Sequence, residues 1–377
     1  MGKTMKFGII GCGLMGREFA SAAARWCHLN TEIARPEIVA VCDVNAASQK
    51  WFTDHFPAIK FTTTDYRELL EQKEIEAVYC ALPHVLHEQV YCDIIRAGKH
   101  LLGEKPFGID QAANDKILQA VQENPGVVVR CASEYPYFPA CQELIRWVKE
   151  DRLGRIIEVK AGFNHASDLD VTKPINWKRT VSMNGEYGCL GDLGIHTEHV
   201  PFRLGWVPKS VYAVLSDIVK ERPDPKGGMT ACDTYDNGTM VCLCEDKNGS
   251  EFGMYIETKR LEPGATSNWY LEVKGMKASV KFGSDDPNAF YYLFSEGKNQ
   301  AWCRMNIGTK PMIPTITGDI FEFGFTDAIL QMWAAYMLEI EGKEVEFGCF
   351  TPEETKLSHR LHTAALESYR EKCAVSL

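Results

Sequence analysis

The sequence predicts an α/β protein with two domains, an N-terminal parallel sheet followed by a domain with a large, mostly antiparallel sheet. Its 377 residues exceed what one hydrophobic core usually serves. Up to about Cys131, apolar segments alternate with helical patterns, which is typical of a parallel sheet covered on both faces. Beyond it, strand-like segments follow one another with glycine and proline between them. We therefore expect one domain over residues 1–133 and a second over residues 134–377.

Apolar periodicity predicts the elements of the first domain. The strands are Phe7–Ile10, Ile38–Cys42, Ala77–Leu82, His100–Leu102 and Val127–Cys131. The helices are Gly16–Trp26, Ala46–His55, Tyr66–Gln72, His87–Ala97 and Gln111–Gln122. Ligands of a parallel sheet bind beyond the carboxyl ends of its strands, so the loops that follow these strands are the candidate site.

The second domain is predicted to begin with a helix over Pro136–Glu150 and to end with helices near Asp327–Ile340 and Pro352–Tyr369. The strands between them are Ile156–Ala161, Val211–Val219, Met240–Cys244, Phe252–Glu257, Tyr270–Lys274, Ala278–Phe282 and Phe290–Phe294. Their spacing favours antiparallel pairing.

A glycine-rich turn stands between the first strand and the first helix: Gly11, Cys12, Gly13, Leu14, Met15 and Gly16. The first glycine permits the tight turn, the second lets backbone approach a pyrophosphate, and the third lets helix and sheet pack closely. The helix N-terminus offers N–H groups to the phosphates. The turn predicts a dinucleotide-binding Rossmann domain. The alternative, a glycine turn in a sheet that binds no nucleotide, is less favoured because a strand precedes the motif and a helix follows it.

Asp43 ends the second strand, somewhat farther beyond the glycines than the usual offset of roughly 20 residues. A carboxylate in this place accepts hydrogen bonds from ribose hydroxyls and repels a 2′-phosphate. Residues 43–48 contain no arginine or lysine. The sequence therefore favours NAD over NADP. The alternative is that Asp43 merely ends a strand.

Lys105 lies in the sequence Glu104-Lys105-Pro106, directly after a predicted strand. Pro106 stiffens the turn, and an ammonium group fixed there could stabilise a developing alkoxide. The alternative is a surface lysine in a turn. The carboxyl-end rule places this loop in one neighbourhood with Gly11–Gly16, Asp43 and Pro83–His87.

Asp192 and His196 stand four residues apart. If the segment is helical, their side chains lie on one face, where the carboxylate could orient or charge the imidazole. Histidine is the natural general base near neutral pH. The alternative is an aspartate at a helix N-terminus and a histidine in the core.

Composition excludes several classes of protein. The formal net charge of −10 argues against a nucleic-acid partner. The longest apolar run falls short of the roughly 18 residues that a membrane helix needs, and no signal-peptide pattern is visible. Fourteen cysteines without a CxxC pair predict no metal site and reduced thiols in a cytoplasmic protein.

The ordered set of motifs resembles the Gfo/Idh/MocA family of oxidoreductases, named for glucose–fructose oxidoreductase and inositol dehydrogenase. The set of motifs comprises the glycine-rich turn, Glu104-Lys105-Pro106 and the Asp192/His196 pair. The loop with Leu82, Pro83, His84 and His87 is similar to the family's Thr-Pro-x-x-x-His loop, with leucine in place of threonine and His84 where Asn is frequent. The chain departs from the family's triple-glycine run, because Gly188-Cys189-Leu190-Gly191 stands there.

The resemblance implies a Rossmann domain and an α/β domain with an open, largely antiparallel sheet. It also implies NAD(P)-linked oxidation or reduction of sugars, cyclitols and related polyols. His196 would accept the hydroxyl proton, Lys105 would stabilise the charge on oxygen and Asp192 would orient the base. The implied cofactor-binding residues are Gly11, Cys12, Gly13, Leu14, Met15, Gly16, Asp43, Leu82, Pro83, His84, His87, Glu104 and Lys105. The substrate-binding candidates are Lys105, Glu134, Asn164, Trp177, Lys178, Asp192 and His196.

The resemblance also implies self-association as a homodimer or homotetramer, since an open sheet leaves one face to be covered. Two other functions stay open at this point, because one fold hosts many functions. The first is NAD-dependent glycoside cleavage by transient oxidation and elimination, without net NADH formation. The second is a non-catalytic nucleotide sensor, against which the acid–base set argues.

Overall fold

The computed structural model describes residues 3–308, 310–318 and 321–377. One unit is made of Met1–Gly108, Ala112–Tyr137 and Thr309–Thr355. The other is made of Ile109–Gln111, Phe138–Gly308 and Lys356–Leu377. The first unit thus takes in a segment from the C-terminal third of the chain. The sequence-based division between residues 133 and 134 into cofactor and substrate domains stays a prediction.

The first unit contains a six-stranded parallel sheet with the order β3-β2-β1-β4-β5-β6. Its strands are β1 (Thr4–Ile10), β2 (Arg35–Cys42), β3 (Phe61–Thr63), β4 (Ala77–Cys80), β5 (His100–Gly103) and β6 (Val129–Cys131). All five predicted strands are confirmed, and the three-residue edge strand β3 was not predicted. β4 ends two residues before the predicted Leu82, because the chain leaves the sheet towards Pro83.

The second unit contains a nine-stranded sheet with the order β16-β15-β14-β13-β7-β12-β11-β8-β17 and a separate β9–β10 hairpin. The strands are β7 (Ile156–His165), β8 (Ser210–Ser216), β9 (Glu221–Pro223), β10 (Met229–Ala231), β11 (Asn237–Glu245), β12 (Glu251–Lys259), β13 (Ser267–Gly275), β14 (Ala278–Gly283), β15 (Ala289–Phe294), β16 (Cys303–Asn306) and β17 (Val375–Ser376). β7 and β12 are parallel, and the other neighbours in the large sheet are antiparallel. The predicted fold class is confirmed.

The predicted helices are found to within a few residues at their ends, and the four-residue helix Val181–Asn184 was not predicted. The helices are α1 (Leu14–Ala24), α2 (Ala46–His55), α3 (Tyr66–Leu70), α4 (His87–Arg96), α5 (Gln111–Glu123), α6 (Pro139–Lys149), α7 (Val181–Asn184), α8 (Cys189–Arg203), α9 (Phe325–Ile340) and α10 (Pro352–Glu371). The segment with Asp192 and His196 is helical, which was the condition for their side chains to share one face.

Helix α9 packs into the core of the parallel-sheet unit. Its Trp333 is fully buried, and the ring centroid lies 5.4 Å from those of both Phe7 on β1 and Phe19 on α1. Arg25 pairs with Asp327 at the start of α9 at 2.5 Å. These contacts attach the 309–355 segment to the first unit, a long-range connection that local periodicity does not predict.

The face of the nine-stranded sheet that carries Phe163, Thr258 and Trp269 is covered by α8. Thr258 donates from its hydroxyl to the Cys189 sulfur at 3.6 Å, and the Trp269 indole donates to the His196 carbonyl at 2.6 Å. Alternate residues along the same strands lie on the opposite, open face.

Gly16 and Gly13 differ sharply in the room around them. A Cβ on Gly16 would lie 2.2 Å from the Gly11 carbonyl oxygen, whereas a Cβ on Gly13 would meet nothing within 4 Å. We expect Gly16→Ala to lower the free energy of unfolding by roughly 2 kcal/mol, because backbone must move.

Gly13→Ala is the matched control. It should lower the free energy of unfolding by less than about 1 kcal/mol, the usual scale at a helix cap. Urea unfolding followed by tryptophan fluorescence measures both variants. Equal midpoints for the two would contradict the role assigned to Gly16.

Candidate active site

The glycine-rich turn of the first unit fits a pyrophosphate. Gly13 caps α1 with backbone only, and the first turn of the helix carries no acidic residue. The space next to Gly13 is open, and the neighbouring Leu14 is 75% exposed. N–H groups at the start of an eleven-residue helix, next to open space and without a competing carboxylate in that turn, suit an anionic ligand.

Asp43 fastens the end of β2 to this turn. Its Oδ2 accepts a hydrogen bond from the Cys12 backbone N–H at 2.8 Å, and its Oδ1 accepts one from Asn45 N–H at 2.8 Å. Each carboxylate oxygen has a second lone pair. The half-buried carboxylate is therefore oriented by the protein and still able to accept a ribose hydroxyl.

His87 joins two of the predicted loops. Its Nε2 lies 2.9 Å from the Leu82 carbonyl oxygen and its Nδ1 lies 2.5 Å from that of Pro106. The ring is fully buried and stacks on Tyr91. These contacts hold the loop after β4 beside the loop after β5, and the Cys12–Asp43 bond holds the end of β2 beside the glycine-rich turn.

The surroundings of His87 favour a positioning role over a cofactor contact. Burial lowers its pKa to about 4, although the two carbonyls act in the opposite direction. A neutral ring carries one N–H, so it donates to one carbonyl at a time. His84 is also buried, and its ring centroid is 5.5 Å from that of His87.

Lys105 lies within a buried cluster of ionisable groups in the first unit. The neighbouring Glu104 accepts two hydrogen bonds. The Tyr79 hydroxyl donates to its Oε1 at 2.8 Å, and the Tyr91 hydroxyl donates to its backbone carbonyl at 2.7 Å. Burial, reinforced by the negative charge of Glu104, raises the pKa of Glu134 to about 8, while Lys105 lowers it. Glu134 therefore stays largely protonated near neutral pH.

In the second unit, Asp192 lies in the first turn of α8 and is 1% exposed. Lys178 Nζ lies 3.0 and 3.2 Å from its two carboxylate oxygens. Arg260 Nε and Nη2 lie 3.3 and 3.2 Å from Oδ2. Two cations and a helix N-terminus thus surround this buried carboxylate and favour its ionised form.

His196 follows one turn later on the same face of α8 and is 4% exposed. Its ring meets the Phe163 ring edge-on, with centroids 5.3 Å apart and planes at 87°. That Asp192 orients this imidazole stays a prediction, since the contacts described for the carboxylate are those with Lys178 and Arg260.

His165 lies at the end of β7 on the same strand face as Phe163. Burial lowers the pKa of His165 to about 4. The Asp192 and Asp168 carboxylates act in the opposite direction, and the Lys178 and Arg260 cations act in the same direction as burial. The ring is therefore neutral near pH 7 and lies within the electrostatic influence of the Asp192 group.

Asn164 is not brought to this group. Its amide donates to Glu257 Oε2 at 3.5 Å on the open face of the sheet. Trp177 precedes Lys178 in a 3-10 turn, and the Lys178 ammonium lies 5.7 Å from its ring centroid.

Arg260 is a site residue that the motifs did not indicate. It follows β12 as one of two adjacent basic residues, and nothing in the local sequence predicts that it lies against Asp192, 68 residues away. Only the topology of the sheet reveals the contact.

Within residues 3–308, 310–318 and 321–377, no helix is both long and apolar enough to cross a membrane. Among the same residues, no three or more His, Cys, Asp or Glu side chains are grouped to hold a metal ion.

Two family models match the chain. The oxidoreductase family with an NAD-binding Rossmann fold, GFO_IDH_MocA, matches residues 5–131. The GFO/IDH/MocA C-terminal domain matches residues 141–281. Both domains expected from the motif order are thus matched independently.

Several proteins of known activity are similar in sequence. A levoglucosan dehydrogenase from Pseudarthrobacter phenanthrenivorans is 25% identical over 83% of this chain and 82% of its own length. A glucose-6-phosphate 3-dehydrogenase from Bacillus subtilis is 27% identical over 79% of each chain. An inositol 2-dehydrogenase from Salmonella typhimurium is 26% identical over 44% of this chain and 48% of its own.

Solved structures share the fold. A levoglucosan dehydrogenase in complex with NADH and levoglucosan matches with a TM-score of 0.84, 21% identity and 99% coverage of both chains. An NAD-binding oxidoreductase from Klebsiella pneumoniae matches with a TM-score of 0.86, 22% identity and 99% coverage of both chains.

Proposed function

The chain belongs to the Gfo/Idh/MocA family of NAD-binding oxidoreductases, and from this premise we propose that it transfers a hydride between NAD and a CH–OH carbon of a sugar, cyclitol or related polyol. Relatives named for levoglucosan, glucose 6-phosphate and inositol support this substrate class. The observation that carries the proposal is the buried Asp192 carboxylate, set between two cations one helical turn before His196.

The dinucleotide would be held by residues of the first unit. The glycine-rich turn would bind the pyrophosphate, Asp43 the ribose hydroxyls, and the loops with Leu82, Pro83 and Glu104 the remainder. When bound, the nicotinamide ring accepts or returns the hydride. His87 would act by positioning, because both of its ring nitrogens face backbone carbonyls.

Three side chains would act on the reacting carbinol of the substrate. His196 would remove the hydroxyl proton, Lys105 would stabilise the negative charge on oxygen, and Asp192 would keep the acid–base group oriented. Trp177, Lys178 and the protonated Glu134 are proposed to contact the substrate. We leave Asn164 out of this set because its amide bonds Glu257 on the opposite sheet face.

Substituting Lys105 or His196 by alanine should reduce turnover with NAD and the matching polyol by at least about 10²-fold, the scale of positioned acid–base catalysis. The substrate is found by screening aldoses, inositols and anhydrosugars for NADH formation. Net NADH formation also separates a dehydrogenase from a glycoside-cleaving enzyme.

Lys50→Ala and His55→Ala serve as controls, since both residues are exposed on α2 and belong to none of the loops of the proposed site. They should keep turnover within about twofold, the scatter expected of surface positions. Near-normal turnover in Lys105→Ala or His196→Ala would remove that residue from the mechanism.

Asp43 should make the enzyme prefer NAD over NADP. Asp43→Asn should reduce this preference, measured as kcat/KM for NAD divided by kcat/KM for NADP, by about tenfold. That change corresponds to ~1.4 kcal/mol of charge repulsion. Asparagine keeps an oxygen that can accept the Cys12 N–H. Asp54→Asn, a surface change on α2, is the control. A wild-type preference for NADP would contradict the assignment.

A homodimer or homotetramer formed through the open face of the nine-stranded sheet is proposed as well. Four exposed apolar side chains lie on this face of the adjacent strands β8 and β11: Tyr212, Val214, Val241 and Leu243. Water-exposed apolar patches on sheets are typical of interfaces.

Leu243→Lys should therefore yield monomers in light scattering after size exclusion, because a charge would be buried at the interface. Met276→Lys, at an exposed residue in the turn between β13 and β14, should leave the assembly intact. A monomeric wild type would refute the interface.

The predicted cytoplasmic location is supported by fourteen unpaired cysteines, and cell fractionation tests it.

A further inference from the structure

Arg260 is a fully buried cation beside the proposed acid–base residues. Its side chain is 0% exposed, compared with 39% for Lys178, the other cation on Asp192. Asp192 itself is 1% exposed. Arg260 is therefore the permanent counter-ion of the carboxylate, whereas Lys178 is open on one side.

The guanidinium holds both members of the Lys178–Asp192 pair. Nε and Nη2 point to Asp192 Oδ2 at 3.3 and 3.2 Å, and Nη1 donates to the Lys178 backbone carbonyl at 3.1 Å. One planar group thus fixes the carboxylate and the main chain from which the lysine side chain extends.

Further bonds hold the guanidinium itself in place. Nη1 reaches the Thr234 hydroxyl at 3.4 Å, and Nη2 reaches Asn184 Oδ1 and the Gly188 carbonyl at 3.4 Å each. Gly188 is the residue directly before α8. The start of this helix, where Asp192 lies, is therefore tied to the same group.

The buried charge of Arg260 determines how the Asp192 carboxylate is held. Because Arg260 compensates the Asp192 charge from the buried side, the Lys178 ammonium is not the only partner of that carboxylate. We propose that Arg260 is a positioning residue that holds the Asp192 carboxylate in the orientation it needs beside His196. This inference rests on the proposed function.

The charged and titratable groups around Asp192 come from four elements. Lys178 lies on the 3-10 turn, Arg260 follows β12, His165 ends β7, and His196 lies on α8 itself. Removing the Arg260 charge makes protonation of Asp192 easier, since an opposite charge is lost. The acidic limb of the pH profile should then move to higher pH.

The test compares Arg260→Gln and Arg260→Lys with the wild type. We expect kcat/KM for the polyol to fall by 30- to 100-fold in Arg260→Gln, as an order-of-magnitude estimate for a lost charged hydrogen bond, with KM for NAD changed by less than about twofold. Arg260→Lys keeps the charge without the planar fork, so it should retain the wild-type pH profile and recover only part of the rate.

Dependence on Asp192 is tested in a double-mutant cycle. If Arg260 acts through the carboxylate, Arg260→Gln should change kcat/KM by less than about threefold in an Asp192→Asn background. An undiminished effect there would overturn the proposal, because a purely structural arginine acts regardless of residue 192.

Arg222→Gln is the matched control, because it removes a buried arginine charge as Arg260→Gln does. Arg222 is also buried, in β9 of the same unit, and donates to the backbone carbonyls of Asp168, Asp170 and Lys173. It should lower stability without moving the acidic limb. A shift in the limb equal to that of Arg260→Gln would refute the specific role of Arg260.

Crystal structures of Arg260→Gln and the wild type separate this inference from the proposed function. We expect the Asp192 carboxylate to rotate relative to Lys178 in the variant, because its contacts with the guanidinium are lost. An unchanged Asp192–Lys178 geometry overturns the inference, with or without activity. Absence of NADH formation by the wild type on the whole polyol panel refutes the proposed function, and the crystal comparison still decides the role of Arg260.

Discussion

The burial of α8 is the constraint on which the second unit depends. From Cys189 to Phe202 every residue of this helix is buried, although Asp192, His196 and Glu198 are ionisable. A buried charge is stable only when it is compensated, so each such side chain imposes a partner elsewhere in the fold. Asp192 takes its partners from a 3-10 turn and from the residue after β12, which connects segments far apart in sequence.

The same constraint acts on the opposite side of the helix. Glu198 Oε1 lies 2.8 Å from Nε2 of His362 on α10, and both side chains are almost fully buried. A Cβ on Gly194 would lie 2.5 Å from that ring nitrogen, so the glycine makes room for the hydrogen bond. The helix is thus fixed through polar contacts on two sides, which limits how far Asp192 and His196 can move.

The sequence was sufficient for features that depend on local pattern. Apolar periodicity found the long strands and helices, and the glycine-rich turn with Asp43 indicated the dinucleotide half of the site. Local pattern missed the strand β3, which has only three residues. It also missed the packing of Trp333 against Phe7, which joins distant segments. Arg260 was missed for the same reason, since its role depends on the sheet order and no motif contains it.

Asn164 and His165 show how one position in a strand decides a functional assignment. Successive side chains of a strand point to opposite faces, so both cannot face α8. The Phe163 ring meets the His196 ring, which places His165 on the α8 face and Asn164 beside Glu257 on the other. The sequence analysis named Asn164 as a substrate-binding candidate, and the register of Phe163 places that residue on the face away from α8. His165, influenced by the Asp192 charge, is therefore the residue of this strand that belongs to the candidate site.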